Sequence, residues 1–105
     1  MAWVILVVAG LLEIVWATAL KQSDGFTRLV PSVIGIGGAT LSFVLLAVAL
    51  RHLPAGTGYA VWVGIGAVGV AIAGIIAFGE AVSAARVLFL SMIVIGIAGL
   101  RLVEG

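Results

Sequence analysis

Cysteine is absent from this chain and charge is scarce: five lysines and arginines, four acids and one histidine in 105 residues. Without cysteine there is no disulfide, no thiolate nucleophile and no zinc–thiolate site. One histidine and no acid cluster leave no metal site within one chain, and neither a cofactor nor an enzymatic activity is expected. The five basic residues do not cluster, so the basic patch that nucleic acid requires is missing as well. Proline occurs only at Pro31 and Pro54.

What remains is hydrocarbon. Apolar residues make up 65% of the chain and the mean hydropathy is strongly positive, values of a polytopic membrane protein. Four apolar runs, at about 3–20, 30–50, 55–78 and 84–100, approach or reach the roughly 17–25 residues that a helix needs to cross a bilayer. Lys21, Asp24 and Arg28 mark one break, Arg51 and His52 a second, Glu80 and Arg86 a third, and Arg101 and Glu104 the end. Pro31 sits just inside the second run and Pro54 opens the third, positions where a missing N–H costs little. Gln22-Ser23-Asp24-Gly25 and Gly79-Glu80 supply turn chemistry. The expected fold is all-α: a single four-helix transmembrane domain over 1–105, in which short loops make each helix the neighbour of the next in a compact pair of hairpins. Ala17-Thr18-Ala19 matches a signal-cleavage pattern, but no basic leader precedes it and an acid interrupts the apolar core, so the first run is expected to stay in the mature protein.

The basic residues at the segment ends show no clear bias. With the N-terminus inside, Arg51 and Arg101 lie on the inner side and Lys21, Arg28 and Arg86 on the outer, a balance that permits insertion both ways. Alternating access is commonly built from inverted repeats around a midplane site. Four helices are too few to hold that repeat and enclose a cavity. A second copy inserted upside down would supply the missing half, giving an antiparallel, dual-topology homodimer.

Glu13 alone breaks the rule that charge stays at segment ends. An ionised carboxylate in hydrocarbon costs several kcal/mol, so intramembrane acids usually face a cavity and carry protons or ions. Gly10, Glu13 and Ala17 share a face, with Trp16 one turn from the acid. Small neighbours leave room there, and the indole walls it. On the third run Tyr59 and Trp62 stand a turn apart; aromatic faces attract cations, although both rings also suit an interfacial belt. On the second run Ser42 shares a face with Gly35 and Gly38; its hydroxyl could reach Glu13 or bond back to its own helix. Trp3 reads as a belt residue, the basic residues as snorkelling anchors and His52 as an interfacial loop residue.

Gly64-Ile65-Gly66-Ala67-Val68-Gly69 spells a dinucleotide-binding fingerprint, but inside an apolar run it lacks the strand and the acid that the motif requires. These glycines instead mark a place where the third helix bends or packs closely. Gly96 and Gly99 permit close approach on the fourth helix, which carries no ionisable group between Arg86 and Arg101 and is expected to assemble the dimer.

With these residues placed, the chain resembles the small multidrug resistance family along its length. The likeness is carried by Glu13, Lys21, Gly25-Phe26-Thr27-Arg28, Pro31-Ser32 and the stretch Pro54-Ala55-Gly56-Thr57-Gly58-Tyr59-Ala60-Val61-Trp62, followed by the 64–69 glycines. Trp16 is similar to the guanidinium exporter branch, where the polyaromatic-drug branch usually has glycine. Phe89 stands near a position where multidrug relatives often carry a further glycine. The resemblance implies a proton-coupled antiporter in the bacterial inner membrane, an antiparallel homodimer that exports guanidinium and small substituted guanidinium cations. Proton and substrate would compete for Glu13 of both subunits, with Trp16, Ser42, Tyr59 and Trp62 around it, Gly10 and Gly38 in support, and Gly64, Gly66 and Gly69 as a hinge. The alternative within the class is a multidrug exporter of quaternary ammonium and other hydrophobic cations. A rotor-type proteolipid needs only a helical hairpin and fits four spans with aromatics near the acid badly, an antiparallel channel would be slowed by an acid that binds tightly, and a purely structural subunit leaves Glu13 unexplained.

Overall fold

The structure is a computed structural model that describes residues 1–104, so the last residue of the expected domain lies outside it. Four helices follow one another: α1 (Ala2–Gln22), α2 (Leu29–Ala49), α3 (Ala55–Phe78) and α4 (Ala84–Glu104). At 1.5 Å per residue the three 21-residue helices are about 31 Å long, the thickness of a hydrocarbon core. All four are long and apolar enough to span a membrane.

Local chemistry explains where they stop. Pro31 falls in the first turn of α2 and Pro54 caps α3, places where an amide proton has no helical acceptor to lose. Gly79 ends α3 in the left-handed region, at φ +65°, and its N–H reaches back to the Gly74 carbonyl. Ser83, just before α4, accepts the Arg86 N–H at 3.0 Å, as an N-cap does. Between α1 and α2, Asp24, Gly25 and Phe26 are left-handed in succession, with φ of +50°, +70° and +67°. Only glycine adopts that region freely, so the turn needs support. Buried Ser23 provides it. Its hydroxyl donates to the Leu20 carbonyl at 2.6 Å and accepts the Phe26 N–H at 3.2 Å. Its carbonyl collects the N–H groups of Thr27 and Arg28.

The helices do not line up as successive neighbours. α1 packs along both α2 and α3, α4 packs along α3, and α2 and α3 meet only briefly. The expected compact pair of hairpins is therefore corrected to a slab, 42 × 35 × 16 Å, with α1 between α2 and α3. Lipid tails are as apolar as leucine, so close approach and hydrogen bonds decide which helices associate. The small residues sit where α1 is met. A Cβ on Gly35 would come within 2.8 Å of Leu20, and one on Gly38 within 2.9 Å of the Trp16 Cβ. Gly10 of α1 receives Ile65 of α3, and Gly69 of α3 receives Ile14. Leu6, Ala9, Leu46, Ala49, Val61 and Trp62 form the buried core where α1, α2 and α3 converge. α4 lies outside it, with no buried side chain among the described residues.

A Cβ at Gly10 would lie 2.9 Å from the Ile65 Cβ, an atom next to the backbone that cannot swing aside, whereas a Cβ at Gly37 meets open space. Gly10→Ala is expected to lower stability by about 1–3 kcal/mol, the cost of overpacking, and Gly37→Ala to leave it unchanged. Thermal unfolding of the two variants in detergent checks the difference.

Candidate cation site

α1 runs along both α2 and α3, and these two meet through the side chains of Ser42, Phe43 and Trp62. Glu13 lies midway along α1. Its carboxylate rests on Gly66 of α3, where a Cβ would collide with both carboxylate oxygens. The room beside the acid thus comes from Gly66. Gly10, expected to leave that room, is filled by Ile65 and instead brings α1 close to α3.

Trp16 is positioned from the other side. Its Cβ packs on Gly38, and its ring lies 6.1 Å from Phe43. Phe43 in turn is 5.3 Å from Trp62, and Trp62 is 5.6 Å from Tyr59, all at tilted angles. A row of four rings therefore runs from α1 across α2 to α3. Trp62 is buried, whereas Tyr59 keeps 56% of its surface open. Two polar atoms in this region are buried without a hydrogen-bond partner among the described residues: Glu13 Oε1, an acceptor, and Trp16 Nε1, a donor. Buried polar groups are nearly always paired, so such orphans point to something absent that completes them.

Ser42 does neither of the two things expected of it. Thr18, Thr40 and Ser91 donate to carbonyls of their own helix, one turn back. Ser42, fully buried, donates instead to the Ala9 carbonyl of α1 at 2.7 Å and accepts the Trp62 indole N–H at 2.9 Å. One hydroxyl joins three helices. The Ala9 carbonyl is also the acceptor that helical geometry assigns to the Glu13 N–H, so this bond anchors the turn that carries the acid.

The structure thus links Trp16, Tyr59 and Trp62 through Phe43, bonds Ser42 to Trp62, and seats Glu13 on Gly66, one turn along α3 from Trp62. The glycines of α3 divide their work: Gly66 underlies the carboxylate, Gly69 faces Ile14, and Gly64 faces α4 through Ile97 and Ile93. α3 is a continuous helix across all three. Gly96 and Gly99 on α4 lie apart from these residues, and a Cβ on either would touch nothing among the described residues. Sequence reasoning missed Phe43, which joins the Trp16 ring to the others. The available signal was an aromatic at mid-depth beside Ser42, far from either interfacial belt.

Ser42→Ala removes the acceptor of a buried indole N–H and one tie between α1 and α2. A loss of about 1–3 kcal/mol is expected, the cost of leaving a buried group unsatisfied. Denaturation in detergent measures it, and a shift of the tryptophan emission would show the freed Trp62 moving.

Comparison with known proteins places this geometry in context. The Small Multidrug Resistance protein family matches residues 1–93. A guanidinium exporter of Yersinia pseudotuberculosis is 59% identical over 102 residues, covering 97% of this chain and 98% of the relative. A guanidinium exporter of Proteus vulgaris is 60% identical, with the same coverage, and one of Salmonella typhimurium is 57% identical, covering 97% of each chain. With four membrane-spanning helices and relatives of this kind over nearly its whole length, the chain is a multi-pass protein of the bacterial inner membrane and belongs to the small multidrug resistance family.

Proposed function

We propose that this protein exports guanidinium and small substituted guanidinium cations in exchange for protons, as an antiparallel homodimer in which Glu13 of both copies takes proton and cation by turns. The observation that carries the reading is the Glu13 carboxylate, seated on Gly66 at mid-depth with a buried oxygen that no group among the described residues satisfies. The names of the relatives, guanidinium exporters at about 60% identity, support the choice of cargo.

The chemistry follows from the cation. Guanidinium is planar, keeps its charge at neutral pH and presents parallel N–H pairs, so a carboxylate receives it bidentately. The rings of Trp16, Tyr59 and Trp62 add cation–π attraction, worth roughly 0.5–2 kcal/mol for each well-placed face. Trp16, held by Gly38, narrows the site to suit a small flat cation. The orphaned Trp16 N–H gains an acceptor once the carboxylate of a second, inverted copy faces it.

In hydrocarbon an empty ionised carboxylate is costly, so the site changes its opening only with Glu13 protonated or paired with a cation. That exclusion couples the two fluxes. A site at mid-depth between inverted copies opens to one side and then the other, with Gly64, Gly66 and Gly69 as the place where α3 bends. Gly96 and Gly99, open on the outer face of α4, are where a second copy packs.

Three outcomes are expected. In proteoliposomes guanidinium evokes a current that Glu13→Gln abolishes, while a bulky quaternary ammonium evokes little. Current surviving in Glu13→Gln would remove the acid from the mechanism, and a response to the bulky cation alone would favour the multidrug alternative. Trp16→Gly widens the site and shifts preference toward the bulky cation, read as the ratio of the two currents. Finally, a bound cation displaces protons, so by reciprocal linkage raising the pH removes the competitor and tightens apparent guanidinium affinity. Calorimetric titration across neutral pH checks the sign; an affinity that falls as pH rises contradicts the competition.

A further inference from the structure

One cavity is lined by none of the residues assigned to the cation site. It is a groove on the other flank of α1, floored by α3 and closed on its far side by α4, with a volume near 640 Å³. Val7, Leu11, Ile65, Val68, Val94 and Ala98 line it, and every one is apolar. One end differs. There Arg101, in the last turn of α4, lies over the Trp3 ring of α1 with its guanidinium carbon 5.1 Å from the ring centroid. Both residues also line the groove.

We propose that this groove is a binding site for one anionic diacyl phospholipid, with an acyl chain between α1 and α4 and the headgroup phosphate on Arg101. The dimensions agree. The α1 wall runs from Trp3 to Ile14, about 16 Å at 1.5 Å per residue. That is the depth of one leaflet, half of a hydrocarbon core of about 30 Å. Trp3 and Arg101 stand at the termini of their helices, at headgroup level, where tryptophan and arginine anchor a membrane protein. Charge complementarity selects the headgroup: a planar guanidinium, steadied on an indole face, presents a fork of donors suited to phosphate oxygens.

A helix from a second copy is a poorer occupant. Gly96 and Gly99 fall on the opposite side of α4 from Val94, Ile97, Ala98 and Arg101 at 3.6 residues per turn. A copy packed on those glycines leaves the groove open.

Native mass spectrometry of the detergent-solubilised wild-type protein tests this directly, with phosphatidylglycerol and phosphatidylcholine of equal chain length added as probes. Phosphatidylglycerol is expected to be retained about fivefold better, the contribution of one basic residue beside an anionic headgroup. Arg101→Gln removes that preference, and Arg51→Gln, at an exposed loop, keeps it. Ala98→Phe fills the groove and lowers retention of both lipids. Without any variant, short-chain phosphatidylglycerol should be held less well than the long-chain form. Equal retention of the two headgroups, a preference that survives Arg101→Gln, or indifference to chain length overturns the site. Dissociation of an oligomer by Ala98→Phe, with lipid retention unchanged, assigns the groove to a second copy instead.

Discussion

The Ser42 hydroxyl is the point on which the rest of this structure turns. Inside a bilayer the hydrophobic effect does not press helices together, so they must find one another through packing and hydrogen bonds. A hydroxyl that donates to the Ala9 carbonyl and accepts the Trp62 indole N–H satisfies both needs at one buried atom. It sets α1 between α2 and α3, fixes the height of Trp62 and holds the turn from which Glu13 projects. The glycines around it let the backbones come close enough for the bond to form.

Upon this frame the polar chemistry within the membrane is sparse. One carboxylate, a row of aromatic rings and a bare glycine surface make up the site. Thr18, Thr40 and Ser91 turn inward to carbonyls of their own helices. A lone acid without a fixed cationic partner is costly to bury, and in the proposed function that cost is what makes the site exchange occupants. On that proposal, a lysine or arginine set permanently beside Glu13 would remove the cost and, with it, the exchange.

Much of this was legible in the residues themselves. The four spans follow from apolar run length, and Pro31, Pro54 and Gly79 mark their ends because each restricts the backbone in a known way. Glu13 is conspicuous because charge elsewhere stays at the ends of runs. What could not be read was which helix meets which. Short loops suggest that neighbours in sequence are neighbours in space, yet α2 and α3 are joined by a short turn and meet only briefly. That arrangement rests on the pairing of small faces across the slab: Gly38 with Trp16, Gly10 with Ile65, Gly66 with Glu13. A glycine in a sequence says that something comes close, not what. The same limit hid Phe43, whose role depends on the rings either side of it, and it made Ser42 look like a partner for Glu13 when it is a partner for the backbone.

The length of α3 has a mechanical consequence. With 24 residues it measures about 36 Å, more than a hydrocarbon core of about 30 Å, whereas α1 and α2 fit with little to spare. A helix too long for its bilayer leans, and the angle depends on local thickness. Gly66 lies near the middle of α3, beneath the carboxylate. A thinner membrane inclines α3 further against α1 and displaces the surface on which Glu13 rests; a thicker one draws it upright. Lipid composition then acts on the site as a load acts on a lever, through the one helix that outreaches its surroundings.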